Sequence, residues 1–216
     1  MTTTLVPLRR GGDERRERLA ARARRLSWLS LAYMTAEGAI AIGAGIAAAS
    51  VALVGFGIDS AIEGLASAII IWRFSGHRIW SDAAERRAQR LVAAQFFLLA
   101  PYVAQDAVRT LAGGGHPEAS WLGIGLAASS LLVMPYLGKA KERLAAGLDS
   151  PATRGEGRQN MLCAYLAGAL LLGLLGNALV GAWWLDPAVG LLIAAVAVRE
   201  GVEAWRGGPS CCAACG

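Results

Sequence analysis

Six stretches of the sequence are long and apolar enough to cross a lipid bilayer as helices. A hydrocarbon core about 30 Å thick requires about 20 mainly apolar helical residues. The chain is 55% apolar and only 17% charged, whereas about a quarter of the residues of a soluble domain are charged. The sequence therefore predicts an all-α, polytopic membrane protein, with spans at residues 27–49, 51–74, 91–112, 120–138, 159–181 and 183–199.

The basic residues predict how the spans are oriented. Eight arginines precede the first span, and cytoplasmic loops collect Lys and Arg. We therefore expect both termini in the cytoplasm of a cell whose plasma or inner membrane holds the protein. The same side receives Arg73, Arg78, Arg86, Arg87, Arg90, Lys139, Lys141, Arg143, Arg154, Arg158, Arg199 and Arg206. The predicted parts are a cytoplasmic Arg-rich segment (1–26), a transmembrane domain (27–206) and a Cys-rich cytoplasmic tail (207–216).

Composition also argues against two function classes. The net charge of +5 does not indicate nucleic-acid binding, because no folded soluble face is present to carry a basic surface. The spans contain no Ser/His, paired-Asp or His-rich constellation, so we expect no enzymatic activity and no resident cofactor. The first expected partner is the lipid bilayer itself.

Four acidic side chains lie inside predicted spans, where each ionised group costs at least about 2.5–3.5 kcal/mol on insertion scales. Asp59 and Glu63 are four residues apart, which places both carboxylates on one helix face about 5–6 Å from each other. At that distance, in a low dielectric, either one takes up a proton or a cation bridges them. Glu37 and Asp106 are candidate accessory residues, and for Asp106 the favoured explanation is an ion pair with Arg109, three residues further along its helix.

The segment Ser50-Val-Ala-Leu-Val-Gly-Phe-Gly-Ile-Asp59-Ser-Ala-Ile-Glu63 resembles the second membrane helix of the cation diffusion facilitator family. In that family a His or Asp, and an Asp four residues later, bind the transported metal. The resemblance covers roughly residues 28–206 and is greatest to short bacterial members that lack the C-terminal cytoplasmic domain. It implies a six-helix transmembrane domain of the cation-efflux type.

The fifth span contains the second part of the resemblance. The family's His and Asp ligand positions fall on Gln159 and Cys163, neither of which is the usual residue. The family's preceding acidic position falls on Glu156, and Asn160 follows the first ligand position. The resemblance therefore implies metal ligands Asp59, Glu63, Gln159 and Cys163, with Glu156 and Asn160 as accessory residues. Hydropathy places Cys163 about 9 Å closer to the cytoplasm than Glu63, a difference that shrinks if the fifth helix starts early, near Ala152, and the hairpin at Ser50 is recessed.

The resemblance further implies export of a divalent transition metal by proton antiport. A thiolate beside carboxylates favours Zn²⁺, with Co²⁺ or Cd²⁺ as alternatives. A different interpretation is a non-transporting sensor or partner-binding protein that retains the six-helix fold, with Gln159 and Cys163 as signs of a decayed site.

Two further features concern the tail and the oligomeric state. The thiols Cys211, Cys212 and Cys215 can capture soft metals, although three thiols without a scaffold do not make a structural zinc site. Small residues such as Gly43 and Gly45 allow close helix packing, which is compatible with a homodimer formed through the membrane helices.

Overall fold

Six long helices make up the chain in the computed structural model, which describes residues 11–47, 51–113, 121–180 and 185–206. A short 3-10 helix, Gly76–Trp80, lies between the second and third of them. The helices are α1 (Gly11–Ala47), α2 (Val51–Arg73), α3 (Asp82–Gly113), α4 (Trp121–Leu148), α5 (Pro151–Val180) and α6 (Leu185–Arg206). The predicted all-α class is confirmed.

Four of these helices, α1 to α4, are long and apolar enough to cross a membrane, judged on the part of the chain that the structure describes. Six spans of the cation-efflux type remain a prediction. α1 runs without a break through the predicted boundary at residue 26, and α5 begins at Pro151 rather than near residue 159. The basic segment is helical because Arg and Ala are good helix formers, and its Ala20 and Ala23 are completely buried.

Helix pairs organise the bundle. α1 packs mainly against α2, α4 against α5, and α3 against α6. Their common core is built from small and medium apolar side chains, including Ile70, Phe74, Val92, Phe96 and Ala152. Many larger apolar side chains point outward instead, as Trp28, Trp121 and Leu132 show with exposures of 56%, 88% and 77%. An apolar exterior around a core of small residues is the arrangement that a lipid solvent favours.

Glycines let two helix pairs approach within backbone contact. A Cβ atom on Gly57 of α2 would lie 2.9 Å from the carbonyl oxygen of Gly38 on α1. A Cβ atom on Gly138 of α4 would lie 2.9 Å from the carbonyl oxygen of Gly157 on α5. Gly43, singled out from the sequence as a packing residue, instead faces open space. The two crossings bring together the helices that carry the acidic and amide side chains of the interior.

A three-way contact centred on Glu85 fixes where α5 begins. Arg73 Nε donates to Glu85 Oε2 at 2.7 Å, while the Ser150 hydroxyl and the Ala152 amide donate to Glu85 Oε1 at 2.8 and 3.0 Å. Ser150 also caps α5 by accepting from the Thr153 amide at 3.2 Å. Arg73, predicted as a cytoplasmic surface charge, is only 1% exposed because it is used in this contact.

The α4–α5 crossing predicts a difference between two otherwise similar substitutions. Gly138→Ala forces a methyl group against Gly157 and Met161, and such overpacking costs about 1–3 kcal/mol. Gly125→Ala on the same helix meets open space and is expected to be neutral or slightly stabilising. Thermal unfolding in detergent micelles measures both. Equal melting temperatures for the two variants would contradict the crossing.

Candidate functional site

The two α2 carboxylates predicted as metal ligands face the interior of the bundle. Asp59 is 8% exposed and Glu63 is 5% exposed. Asp59 Oδ1 and both carboxylate oxygens of Glu63 are buried without a hydrogen-bond partner. Buried polar atoms almost always have such a partner, so these oxygens are acceptors open to a proton or a cation.

α5 brings one of its two predicted ligand positions, Cys163, next to the α2 carboxylates. The thiol of Cys163, 3% exposed, lies beside the Glu63 carboxylate. Gln159 is 1% exposed, and neither its amide oxygen nor its amide nitrogen has a partner. Because α5 begins at Pro151, Cys163 lies about 18 Å from the start of the helix, measured along the helix axis. The expected depth mismatch with Glu63 is therefore absent.

The side chains of Asp59, Glu63 and Cys163 interact with one another but do not form a complete coordination shell for a metal ion. Among the described residues, no three His, Cys, Asp or Glu side chains converge on a point that could hold a metal ion. The carboxyl groups of Asp59 and Glu63 interact electrostatically with each other, and both also interact with the Cys163 thiol. The site therefore consists of two unpaired acidic groups, a thiol and an amide on two facing helices.

Glu37, predicted as an accessory residue, is held by a cage of hydroxyl groups. Its Oε1 accepts from the Tyr33 hydroxyl at 3.1 Å and from Ser130, and its Oε2 accepts from Ser60 at 3.1 Å. The Tyr33 hydroxyl in turn contacts the Ser129 hydroxyl at 2.5 Å. Unlike the α2 carboxylates, Glu37 has all the partners it needs, although its charge still acts on Asp59.

Lys141, counted from the sequence among the basic residues of the cytoplasmic side, lies inside the bundle. Lys141 is completely buried and pairs with Glu156, also completely buried, at 2.8 Å between Nζ and Oε1. The same ammonium donates to Ser30 at 2.6 Å and to Asn160 at 3.4 Å, and Ser27 donates to Glu156 Oε2 at 2.9 Å. Glu156 and Asn160, predicted as accessory residues, are thus partners of Lys141. The signal available in the sequence for this buried lysine was Glu156, because a buried carboxylate needs a cation as its partner.

The polar groups together form a file through the centre of the bundle, which we call the polar file. In order from the end at Ser27, it consists of Ser27, Ser30, Lys141, Glu156, Asn160, Gln159, Cys163, Glu63, Asp59, Ser60, Ser130 and Glu37. On α1 it extends from Ser27 to Glu37, which is about 15 Å along the axis. The carboxylates, the thiol and the amides of the polar file were predicted from the sequence, whereas its lysine and its serines were not.

Gln95 on α3 is another interior side chain that the sequence analysis missed. It is 4% exposed, its Nε2 donates to the Ile62 carbonyl at 3.2 Å, and its Oε1 has no partner. Ile62 directly precedes Glu63. The signal available in the sequence was a single amide side chain within an apolar span, because an unsatisfied polar group is costly in lipid and therefore turns toward the protein interior.

The remaining predicted residues do not join the polar file. Asp106 is exposed on α3. The Arg109 guanidinium instead contacts Gln105, whose amide oxygen lies 2.6 Å from the guanidinium when the amide group is flipped. Within the described part of the chain, Asp106 therefore forms no ion pair with Arg109. The tail thiols Cys211, Cys212 and Cys215 lie outside the described residues.

The N-terminal part of α5 and the C-terminal end of α6 carry a separate group of charges. Arg158 pairs with Glu200 and, at 3.0 Å, with Glu203, which also pairs with Arg199 at 3.1 Å. These guanidinium groups hold the pKa of Glu203 below its usual range. These contacts range from partly buried to exposed and lie outside the polar file.

Comparison with known proteins supports a membrane location. No family model matches the chain. The chain is 25% identical over 182 residues to Transmembrane protein 163 of Xenopus laevis, covering 82% of this chain and 64% of that relative. It therefore spans less than two thirds of the relative's length. The chain is a membrane protein.

The buried ion pair predicts an order of stabilities. Lys141→Met leaves Glu156 charged and unpaired, and breaking a buried pair costs about 3–5 kcal/mol. Replacing both partners, in Lys141→Met with Glu156→Leu, removes that uncompensated charge and is expected to recover most of the loss. Thermal unfolding of the purified proteins in detergent measures the series. A single variant as stable as the wild type would contradict the pairing.

Proposed function

We propose that the chain is a secondary active transporter that exports a divalent transition-metal cation in exchange for protons. The observation that carries the proposal is the pair of buried carboxylates, Asp59 and Glu63, which have unpaired oxygens, with the Cys163 thiol beside Glu63. Acidic side chains inside a membrane bundle mark ion pathways and proton relays. In this proposal all six helices cross the plasma or inner membrane, and both termini are cytoplasmic.

The donor chemistry supports Zn²⁺ as the cargo, with Co²⁺ or Cd²⁺ as further candidates. Asp59 and Glu63 supply carboxylate oxygens, Cys163 supplies sulfur, and Gln159 supplies a carbonyl oxygen. Hard ions such as Mg²⁺ prefer oxygen alone, whereas zinc binds both thiolate and carboxylate. One divalent ion also balances the two negative charges of the α2 pair.

Competition between metal and protons for the same groups provides the coupling. Carboxylates and thiols bind metal only when deprotonated, so metal entry releases protons and proton entry releases metal. A cycle of export then needs the site to open to each side of the membrane in turn. The buried state of all four donors corresponds to a closed conformation.

A second candidate is a non-transporting sensor or partner-binding protein with the same fold. It is favoured by the finding that no three His, Cys, Asp or Glu side chains converge among the described residues. Transport requires that metal binding draws the facing donors of α2 and α5 together, whereas a decayed site has no such closure. Flux measurements separate the two candidates.

The transport proposal predicts loss of flux when an α2 carboxylate is neutralised. Asp59→Asn and Glu63→Gln keep side-chain size but remove the charge that binds the metal. Ligand-shell changes cost about 10–100-fold in metal affinity, so zinc uptake into inside-out vesicles driven by a pH gradient should fall at least about tenfold. Asp106→Asn, a neutralised exposed carboxylate, is the matched control and should retain uptake. Wild-type flux in all three variants would overturn the proposal.

The thiol predicts a change of selectivity. Cys163→Ser replaces a soft donor by a hard one, so the ratio of cadmium uptake to manganese uptake is expected to fall. Competition between the two ions in the same vesicles measures that ratio. If it does not change, Cys163 fills space without binding the metal.

A further inference from the structure

The Lys141–Glu156 ion pair occupies the cytoplasmic end of the polar file. Its two side chains come from α4 and α5, and Ser30 brings α1 into the same contact through a 2.6 Å hydrogen bond. Ser27 completes the contact from one turn further down α1, through its 2.9 Å bond to Glu156. Three helices are therefore joined by one charged contact that has no exposed surface.

The order of residues on α5 places this contact between the cytoplasm and the metal donors. Glu156, Asn160 and Cys163 are spaced by four and then three residues, so they share one helix face. Lys141 contacts the first two of them, and its charge also acts on Glu63. A cation moving from the cytoplasm along the polar file meets the Lys141 ammonium before it reaches Cys163 or Glu63.

We propose that the Lys141–Glu156 pair is the cytoplasmic closure of the site and that Lys141 is its positioning residue. The ammonium holds α1, α4 and α5 together through Glu156 and Ser30, and its positive charge repels an entering cation as long as the contact is intact. Opening toward the cytoplasm separates Lys141 from Glu156. The purpose of this closure and its cytoplasmic side rest on the proposed function and orientation, whereas the contacts that form it do not.

Labelling of Cys163 tests the closure without measuring transport. Cys211, Cys212 and Cys215 are replaced by serine, which leaves Cys163 as the only thiol of the chain. A membrane-impermeant charged methanethiosulfonate is then added from one side, using inside-out or right-side-out vesicles. Since thiol modification depends on access, Lys141→Met with Glu156→Leu should be labelled at least about tenfold faster than the parent from the cytoplasmic side. Labelling from the outer side should not change.

Two further variants keep the test specific to this ion pair. Arg158→Met with Glu200→Leu removes an ion pair at the cytoplasmic ends of α5 and α6, outside the polar file, and should label at the parent rate. The charge-swapped variant, Lys141→Glu with Glu156→Lys, restores an ion pair and should return to slow labelling. An unchanged rate in the apolar variant, an equal increase from both sides, or fast labelling of the swapped variant would overturn the closure.

Zinc uptake measured in the same vesicles separates this inference from the proposed function. Faster cytoplasmic labelling in a chain whose wild type carries no zinc supports the closure and removes the transport proposal. Zinc flux in the wild type, together with unchanged labelling of the apolar variant, supports transport and overturns the closure.

Discussion

The buried ion pair between Lys141 and Glu156 is the interaction on which the rest of the interior depends. It joins α1, α4 and α5 through contacts to Ser27, Ser30 and Asn160. Two charges taken out of water are tolerated only when they are paired and hydrogen-bonded, and here both conditions are met. Because Lys141 balances the charge of Glu156, the remaining acidic groups in the centre of the bundle are those of α1 and α2.

These acidic residues differ in how they are satisfied, and that difference separates support from function. Glu37 accepts hydrogen bonds from three hydroxyl groups. Asp59 and Glu63 have oxygens without partners, as does the amide of Gln159. Under the proposed function, the oxygens of Asp59 and Glu63 that have no partner are the positions at which the transported cation binds. In the same proposal, the adjacent Cys163 thiol favours a transition metal over a hard ion.

Much of this arrangement could be predicted from the sequence because lipid imposes strong rules on composition. Apolar length predicted the helices, and the four-residue spacing of Asp59 and Glu63 predicted a shared face. The burial of Lys141 was not predicted because a positive-inside count cannot distinguish a lysine near a helix end from one that turns inward to a carboxylate. The depth of Cys163 depended on where α5 begins, which hydropathy does not register, and Ser150 and Glu85 set that start at Pro151.

X-ray absorption at the zinc edge tests the central claim most directly. The protein, with Cys211, Cys212 and Cys215 replaced by serine, is loaded with zinc and desalted before measurement. The account predicts about one retained zinc per chain, with one sulfur neighbour near 2.3 Å and oxygen neighbours near 2.0–2.2 Å, and loss of that signal in Asp59→Asn with Glu63→Gln. Retained zinc with no sulfur neighbour, or equal retention in the double variant, would contradict it.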